Sequence, residues 1–218
     1  MKNTNYTLDD VLALDSKFRT TFINSLGGYK TPVLIGTINK EGQSNLAIFN
    51  SLIHLGAMPP LIGFIVRPDS VERHTLQNIL ETQVFTINHV KEEFYKAAHQ
   101  TSARYPKEAN EFEQVGLTAE YQTHCIAPYV KESVIKICVD FMERIDLTIN
   151  GTVVLVGKIR TIQVPSDCLM QDGFVDLEKA ASIAVSGLDS YHTTQPIARL
   201  AYAKPDQMPT EITSINIA

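Results

Sequence analysis

The chain has 218 residues, an apolar fraction of 44% and a formal net charge of −5. Nucleic acid is not an expected partner, because its phosphate backbone is bound by dense clusters of Lys and Arg. The first residues, M-K-N-T-N-Y-T-L-D-D, lack the apolar run of a signal peptide, and no apolar stretch approaches the roughly 20 residues that span a bilayer. We therefore expect a cytoplasmic protein that does not enter a membrane.

Length and composition favour one domain, because 218 residues can enclose one good-sized core. The sequence contains neither repeats nor an obvious linker. We expect one domain over residues 1–218, with its core at about residues 28–165 and a C-terminal extension at about residues 166–218.

The three cysteines are Cys125, Cys138 and Cys168, and no two of them form a C-x-x-C pair. Their odd number and wide separation argue against a disulfide framework and against a zinc site. Cysteines of this kind are usually small packing residues. The sequence predicts three free thiols and no metal centre.

Helix signals come first in the chain. Residues 7–26 predict one or two short amphipathic helices, with Thr7 and Ser16 as N-caps and the Gly27-Gly28 pair as a stop. A further helix is predicted at residues 75–81, with Thr75 as its N-cap. The other helical candidates are residues 92–99, 107–114 and 177–184.

Strand signals dominate the middle of the chain. Two apolar runs flank the turn at residues 39–42 and predict a hairpin, and the clearest alternation of apolar and polar residues lies at 134–147. The other predicted strands are residues 61–66, 84–88 and 152–164. Strands joined by hairpins, with helices at the edges, predict a mostly β fold: an antiparallel barrel with peripheral α-helices.

Several classes of chemistry have no motif in this chain. The sequence contains no G-x-G-x-x-G, no G-x-x-x-x-G-K-[ST], no H-E-x-x-H and no G-x-S-x-G. Ser186, Asp189 and His192 are the residue types of a hydrolase triad, but no strand–turn–helix pattern surrounds them. The alternative is a loop in which Ser and Asp stabilise local turns.

Positive charge gathers where a helix is predicted to begin. Arg67, Arg73, His74 and Thr75 fall within nine positions. A helix start presents free N–H groups and the positive end of its dipole, and arginine matches phosphate oxygens with paired donors. One phosphate, without a glycine-rich loop for a diphosphate, fits FMN better than FAD or NAD. The alternative is that these are ordinary surface basic residues and a simple cap.

Between residues 44 and 88 the chain carries S-N-L-A-I-F-N-S, M-P-P, R-P-D-S-V-E-R-H-T-L-Q-N-I and F-T-I-N in that order. This order, with the later segment H-Q-T-S-A-R-Y, resembles the flavin reductase-like family of FMN-binding split-barrel proteins. The resemblance runs from about residue 31 into the C-terminal tail. It implies a Greek-key-like split barrel.

The resemblance also implies a set of cofactor contacts. Arg67, Arg73, His74 and Thr75 match the phosphate-binding stretch, although relatives often have Asp where His74 stands. The strand beside the flavin ring and ribityl chain would contribute Asn45, Ala47, Phe49, Asn50 and Ser51, and a later segment Thr101 and Ser102. For Asn45 and Asn50 the alternative is backbone support at a strand edge.

The implied protein is a homodimeric flavoprotein oxidoreductase that uses NAD(P)H to reduce flavin, or a small acceptor through bound FMN. A flavoredoxin-like electron carrier reduced by a protein donor and a non-catalytic flavin-binding protein remain alternatives. Tyr191 is a candidate cover for the flavin or for a partner's pocket, or else packs within an ordered tail. Nothing here favours the pyridoxine-type substrates of the related pyridoxamine-phosphate oxidase branch.

Overall fold

The computed structural model describes residues 1–68 and 72–212. Residues 69–71 of the predicted phosphate-binding stretch and residues 213–218 of the predicted extension lie outside the described residues. The α-helices are α1 (Leu8–Ala13), α2 (Ser16–Ser25), α3 (His74–Thr82), α4 (Tyr95–Gln100) and α5 (Glu111–Val115). The strands are β1 (Tyr29–Lys30), β2 (Val33–Ile38), β3 (Ser44–Phe49), β4 (Ile53–Ala57), β5 (Pro60–Val66), β6 (Val84–His89), β7 (Ala119–Gln122), β8 (Cys125–Val130), β9 (Lys136–Leu147), β10 (Thr152–Gln163), β11 (Ala184–Ser186) and β12 (Ser190–His192).

An antiparallel sheet of seven strands forms the body of the protein, in the order β3-β2-β6-β9-β10-β5-β4. The sheet curls so that strands from its two ends meet. Phe49 of β3 and Phe64 of β5 stack edge to face with ring centroids 4.8 Å apart. The predicted mostly β, antiparallel architecture with peripheral helices is confirmed.

The interior of the curled sheet is one apolar cluster, and helix α3 closes it. Strands are buried here because β-branched and aromatic side chains fill the concave face. The strands and α3 both contribute residues to this cluster, which includes Val33, Ile35, Phe64, Leu76, Ile79, Phe85, Ile87, Val139 and Leu155. Burial of this cluster is the main apolar contribution to folding.

A second cluster lies on the other face of β3. Leu46 of β3 packs there with Ala98 of α4 and Phe112 of α5. Because side chains alternate along a strand, Asn45, Ala47 and Phe49 point to the opposite face. Strand β3 therefore separates α3 on one side from α4 and α5 on the other.

The N-terminal caps are partly as predicted. Thr7 caps α1 and forms a reciprocal capping box with Asp10. The predicted cap Ser16 is wrong, because Asp15 occupies that position. Its Oδ1 accepts from the amides of Lys17 and Phe18, at 2.9 and 3.1 Å.

The first four residues of strand β9 are covered on both faces. Its apolar residues Ile137 and Val139 belong to the interior cluster, as the alternation predicts. On the reverse face Cys138 packs against β8, and Lys136 forms a buried ion pair with Glu120 of β7. The β7–β8 hairpin was missed by the sequence analysis, as was β4.

The remaining helix predictions need correction. The segment 92–99 begins as a 3-10 turn and becomes α4 only at Tyr95, and α5 begins after Asn110 rather than at residue 107. The predicted helix at 177–184 is wrong. That segment is a series of turns leading into β11, which pairs with β1 and β12.

The three cysteines are free and buried, as predicted. Within residues 1–68 and 72–212, no group of three or more His, Cys, Asp or Glu residues is placed so that it could bind a metal ion. No helix in the same described ranges has the length and apolarity needed to cross a bilayer.

A buried histidine joins the barrel to the C-terminal segment. His89 Nδ1 lies 2.9 Å from Ser182 Oγ, and its carbonyl oxygen accepts from Ser133 Oγ at 2.8 Å. Burial disfavours the imidazolium and lowers the pKa of His89 from 6.5 to about 4. The folded protein therefore holds this ring neutral.

We predict that His89 makes stability fall as the pH is lowered from about 6.5 to 4. In that range the unfolded chain binds a proton that the folded chain excludes, at a cost of about 3 kcal/mol at the acid end. Urea unfolding of wild type and His89→Gln at pH 7 and pH 4.5 measures the difference between their pH dependences. The exposed His54→Gln is the control and should behave like wild type.

Candidate functional site

The loop after β5 brings two arginines to the start of α3. Arg67 follows the last residue of β5 and is exposed. Arg73 is half-buried, and its Nε donates to the carbonyl oxygen of Pro68 at 3.3 Å. The Arg73 side chain is therefore held close to Pro68, the residue that follows Arg67 in the chain.

Helix α3 begins without a side-chain cap from its N-cap residue. Arg73 has the extended N-cap conformation, and its side chain makes no capping hydrogen bond to the described residues. The predicted cap Thr75 is wrong, because the helix begins one residue before it and Thr75 lies buried in the first turn. The amides at this end of α3 are oriented to bind an anion.

His74 lies among groups of both charges. Its Nε2 is 3.8 Å from Glu72 Oε2, and Lys107 Nζ is 4.0 Å from the other oxygen of the same carboxylate. The imidazole thus has a carboxylate neighbour within the site. Its assignment as a phosphate contact stays a prediction.

A buried polar network joins the β2–β3 hairpin to α3. Thr37 Oγ1 is wholly buried and accepts from Asn45 Nδ2 at 3.3 Å and from Asn78 Nδ2 at 3.1 Å. The Asn45 amide also donates to Thr75 Oγ1 at 3.0 Å. Asn45 and Thr75, both predicted cofactor contacts, therefore have side chains that fix the first turn of α3. Thr37 was not identified from the sequence.

The other predicted β3 residues line the α3 side of that strand. Ala47 and Phe49 are half-buried, and Phe49 packs on Phe64 within the rim of the interior cluster. They offer a small residue and an aromatic edge on the face of β3 that packs toward the interior cluster. Such a surface accepts a flat apolar ring.

Residues just beyond β3 fasten it to two distant parts of the chain. Ser51 Oγ donates to the carbonyl oxygen of Ile65 at 3.1 Å and accepts from the amide of Ile65 at 3.0 Å. Asn50 Nδ2 donates to the carbonyl oxygen of Gly187 at 2.8 Å. The end of β3 is thereby brought beside the end of β5, where Arg67 lies, and beside the β11–β12 hairpin.

Thr101 and Ser102 follow α4, on the other side of β3 from α3. Thr101 is buried, and its Oγ1 donates to the carbonyl oxygen of Ala98 at 2.7 Å, whereas Ser102 is exposed. Nearby, His99 Nδ1 lies 2.8 Å from the Tyr191 hydroxyl. The structure does not join Thr101 or Ser102 by any described hydrogen bond to the corner of Arg67 and Arg73.

Tyr191 packs within an ordered C-terminal segment. Its ring lies 5.3 Å from that of Tyr95, and it contacts the second apolar cluster. Burial and the negative charge of Asp189 raise the pKa of Tyr191 to about 12. The hydroxyl is therefore a neutral hydrogen-bonding group at every physiological pH.

Glu111 is a site residue that sequence reasoning missed. It is buried at the start of α5, and its Oε2 accepts from the amide of Leu46 on the open edge of β3 at 3.2 Å. Burial raises the pKa of the Glu111 carboxyl, although the Leu46 amide and the charge of His74 oppose the rise. An acidic residue directly after the cap Asn110 was the available signal.

Of the three residues considered for a hydrolase triad, two are hydrogen-bonded to each other, but they do not form a catalytic site. Ser186 Oγ lies 2.9 Å from His192 Nε2. Both residues belong to the antiparallel β11–β12 hairpin, and Ser190 Oγ shares the same ring nitrogen at 3.2 Å. This is the local turn chemistry of the second interpretation rather than an exposed nucleophile at a strand-to-helix turn.

A model of the flavin reductase like domain family matches residues 26–177. The chain belongs to the flavin reductase-like family. Its split-barrel fold is shared with a protein of Shewanella frigidimarina assigned as a flavin reductase. That structure is 47% identical and has a TM-score of 0.89, with 92% of this chain and 100% of that chain covered.

Two more distant structures share the fold. Nitrilotriacetate monooxygenase component B from Bacillus cereus is 21% identical with a TM-score of 0.79, covering 91% of this chain and 100% of its own. Flavoredoxin of Desulfovibrio vulgaris is 22% identical with a TM-score of 0.68, covering 82% of this chain and 92% of its own. The same fold thus occurs in a protein named as a monooxygenase component and in one named as a flavoredoxin.

We predict that Thr37→Val destabilises the fold by about 1–3 kcal/mol, because it leaves buried amide groups of Asn45 and Asn78 without their shared acceptor. Urea unfolding monitored by circular dichroism measures the loss. Thr118→Val, at an exposed position, is the matched control and should change stability by less than about 0.5 kcal/mol. Equal effects of the two substitutions would contradict the structural role of Thr37.

Proposed function

We propose that this protein binds FMN and is an oxidoreductase that transfers reducing equivalents from NAD(P)H to flavin, or through bound flavin to a small acceptor. The observation that carries the proposal is the start of α3, which has no side-chain cap and has Arg73 at its N-cap, with Arg67 six residues earlier in the chain, directly after β5. Family membership supports a flavin as the cofactor.

The donor set fits one terminal phosphate. Two guanidinium groups and one helix N-terminus supply a single focus of positive charge. FMN ends in such a phosphate, whereas FAD and NAD carry a diphosphate that requires a longer run of donors. We propose Arg67, Arg73, His74 and Thr75 as the phosphate-binding residues. The Thr75 hydroxyl accepts from Asn45, and its own O–H and the Thr75 backbone amide are the donors that it can offer to phosphate.

The strand that runs from the phosphate corner is the proposed seat of the flavin ring. Ala47 and Phe49 lie on the α3 face of β3, and both remain partly accessible. Asn45, Asn50 and Ser51 have side chains engaged in the protein, so their proposed contribution is the fixed position of backbone groups along this strand. Thr101 and Ser102 are proposed as further contacts near the opposite edge.

Bound FMN would supply the hydride and electron chemistry, as flavins do in other proteins. The chain itself would hold the phosphate, place one face of the ring against β3 and leave the other face open to the donor. No acid–base side chain is required for these tasks. We propose that a homodimer of this single split-barrel chain, residues 1–218, carries out the reaction.

We predict that Arg67→Ala and Arg73→Ala each weaken FMN binding by about 1.5–3 kcal/mol, because each removes a charge-assisted contact to phosphate. Riboflavin, which lacks the phosphate, should bind the variants and wild type within about twofold. Fluorescence titration with both flavins measures the two affinities.

Lys40→Ala is the control for these substitutions, because Lys40 is an exposed cation in the turn of the β2–β3 hairpin and is not among the proposed contacts. It should leave both affinities unchanged. Equal weakening of FMN and riboflavin binding by the arginine variants would show that the phosphate lies elsewhere.

We predict that NADH or NADPH, added without oxygen, reduces the flavin of the protein reconstituted with FMN. The absorbance band of oxidised flavin, at about 450 nm, should then disappear. Stopped-flow spectroscopy measures the rate for each nucleotide. If only a ferredoxin-type donor bleaches the flavin, the protein is an electron carrier and not an NAD(P)H-dependent enzyme. Absence of bleaching with every donor would leave a flavin-binding protein without redox function.

A further inference from the structure

Two segments at the ends of the chain lack cover. The N-terminal helix pair comprises residues 6–26 and contains α1 and α2, of which no residue is buried. The C-terminal arm comprises residues 196–212, all exposed except for Arg199 and Ala201, which are half-buried. Neither segment belongs to the apolar clusters of the barrel.

Both segments are nonetheless regularly hydrogen-bonded. Arg19 of α2 donates to the carbonyl oxygens of Leu12 and Leu14, at 2.9 and 3.0 Å, and so joins the two helices. In the arm, the amide of Ala201 donates to Thr210 and that of Ile212 donates to Arg199, at 2.9 and 2.8 Å. Such short helices and a lone two-stranded hairpin are marginal in water by themselves.

Contacts with residues 172–174 fix the arm at its base. Arg199 forms an ion pair with Asp172, and its guanidinium lies 4.0 Å from the centre of the Phe174 ring. Beyond this point the side chains of Tyr202 and Met208 are 92% and 86% exposed. The arm therefore leaves its own barrel at a defined place and carries apolar side chains away from it.

The exposed apolar surface is large enough for a stable interface. Eleven large apolar side chains of the two segments are exposed: Tyr6, Leu8, Leu12, Phe18, Ile23, Leu26, Ile197, Leu200, Tyr202, Met208 and Ile212. Side chains of this size, partly exposed, present on the order of 1,000 Å² in total. A typical specific interface needs about 800 Å² from each partner.

The charges of the two segments point to self-association. Residues 6–26 contain two basic and three acidic residues, and residues 196–212 contain two of each. The two segments thus have net charges of −1 and 0, although the chain as a whole carries a net charge of −5. Two copies of the chain can bring these segments together without the repulsion that the rest of the surface would impose.

We infer that the C-terminal arm of one protomer packs on the N-terminal helix pair of a second copy of this chain. A two-fold axis lets each copy contribute one arm and one helix pair, so both exposed segments are covered at once and the assembly closes as a dimer. This inference rests on the homodimer of the proposed function and assigns its surface. The arm leaves the barrel four residues after β12, the strand whose Tyr191 is bonded to His99, so the partner's contacts also steady that hairpin.

Sedimentation equilibrium of full-length variants tests the surface. We expect wild type to be a dimer, and Leu12→Glu/Phe18→Glu and Leu200→Glu/Tyr202→Glu to dissociate with at least 100-fold weaker association. The control Ile149→Glu/Ile162→Glu changes two exposed residues of the β9–β10 hairpin and should stay dimeric. A dimer unaffected by both test variants would overturn the inference and leave the homodimer standing, whereas a monomeric wild type would overturn both.

Crosslinking distinguishes the partner surface. The native thiols are buried, so a bis-maleimide should react only with introduced cysteines. A mixture of Leu12→Cys and Tyr202→Cys protomers should give a crosslinked heterodimer. Crosslinks within the Tyr202→Cys preparation alone would show that arm meets arm, contrary to the inference.

Hydrogen exchange of wild type requires no substitution. The amides of Ala201 and Ile212 should exchange at least 100-fold more slowly in the dimer than in an unstructured peptide of the same sequence. Exchange at the peptide's rate would show that the arm is uncovered. FMN titration of the same sample reports separately on the flavin site.

Discussion

One threonine hydroxyl holds the candidate site together. Thr37 Oγ1, wholly buried between the hairpin and α3, accepts from amides of Asn45 and Asn78, and Asn45 in turn reaches Thr75 in the first turn of α3. Because unpaired amides are costly inside a protein, these bonds allow one position of the helix start relative to β3. The orientation of the helix N-terminus, and with it the place where positive charge is concentrated, follows from that constraint.

Closure of the barrel depends on equally few contacts. Strands β3 and β5 lie far apart in the order of the sheet, and Ser51 joins them by two hydrogen bonds to Ile65. Phe49 and Phe64 meet just inside the same seam. These contacts bring the C-terminal end of β3 beside the C-terminal end of β5. Residues about twenty positions apart in the sequence can therefore contact one ligand.

Sequence patterns were sufficient where one local signal acts alone. The β2–β3 hairpin, β5, β6 and the cap at Thr7 follow from apolar runs, a glycine turn and a capping box. Sequence patterns gave wrong predictions where contacts with residues distant in the sequence determine the local structure. Thr75 looks like a cap but is drawn inward by Asn45, and residues 177–184 have helical spacing yet are held in turns beside β1 and His89. The role of Glu111 depends on the Leu46 amide, 65 positions away, which no local pattern records.

That bond between Glu111 and Leu46 has a consequence for solubility during folding and storage. Strand β3 ends the sheet, and an unpaired strand border can recruit the same border of another molecule into a growing fibril. A carboxylate seated on the outward amide of Leu46 occupies one rung of that ladder, and α5 shields the rungs beside it. Helix α5, which lies on the opposite side of β3 from α3, thus protects this edge of the sheet from pairing with another chain.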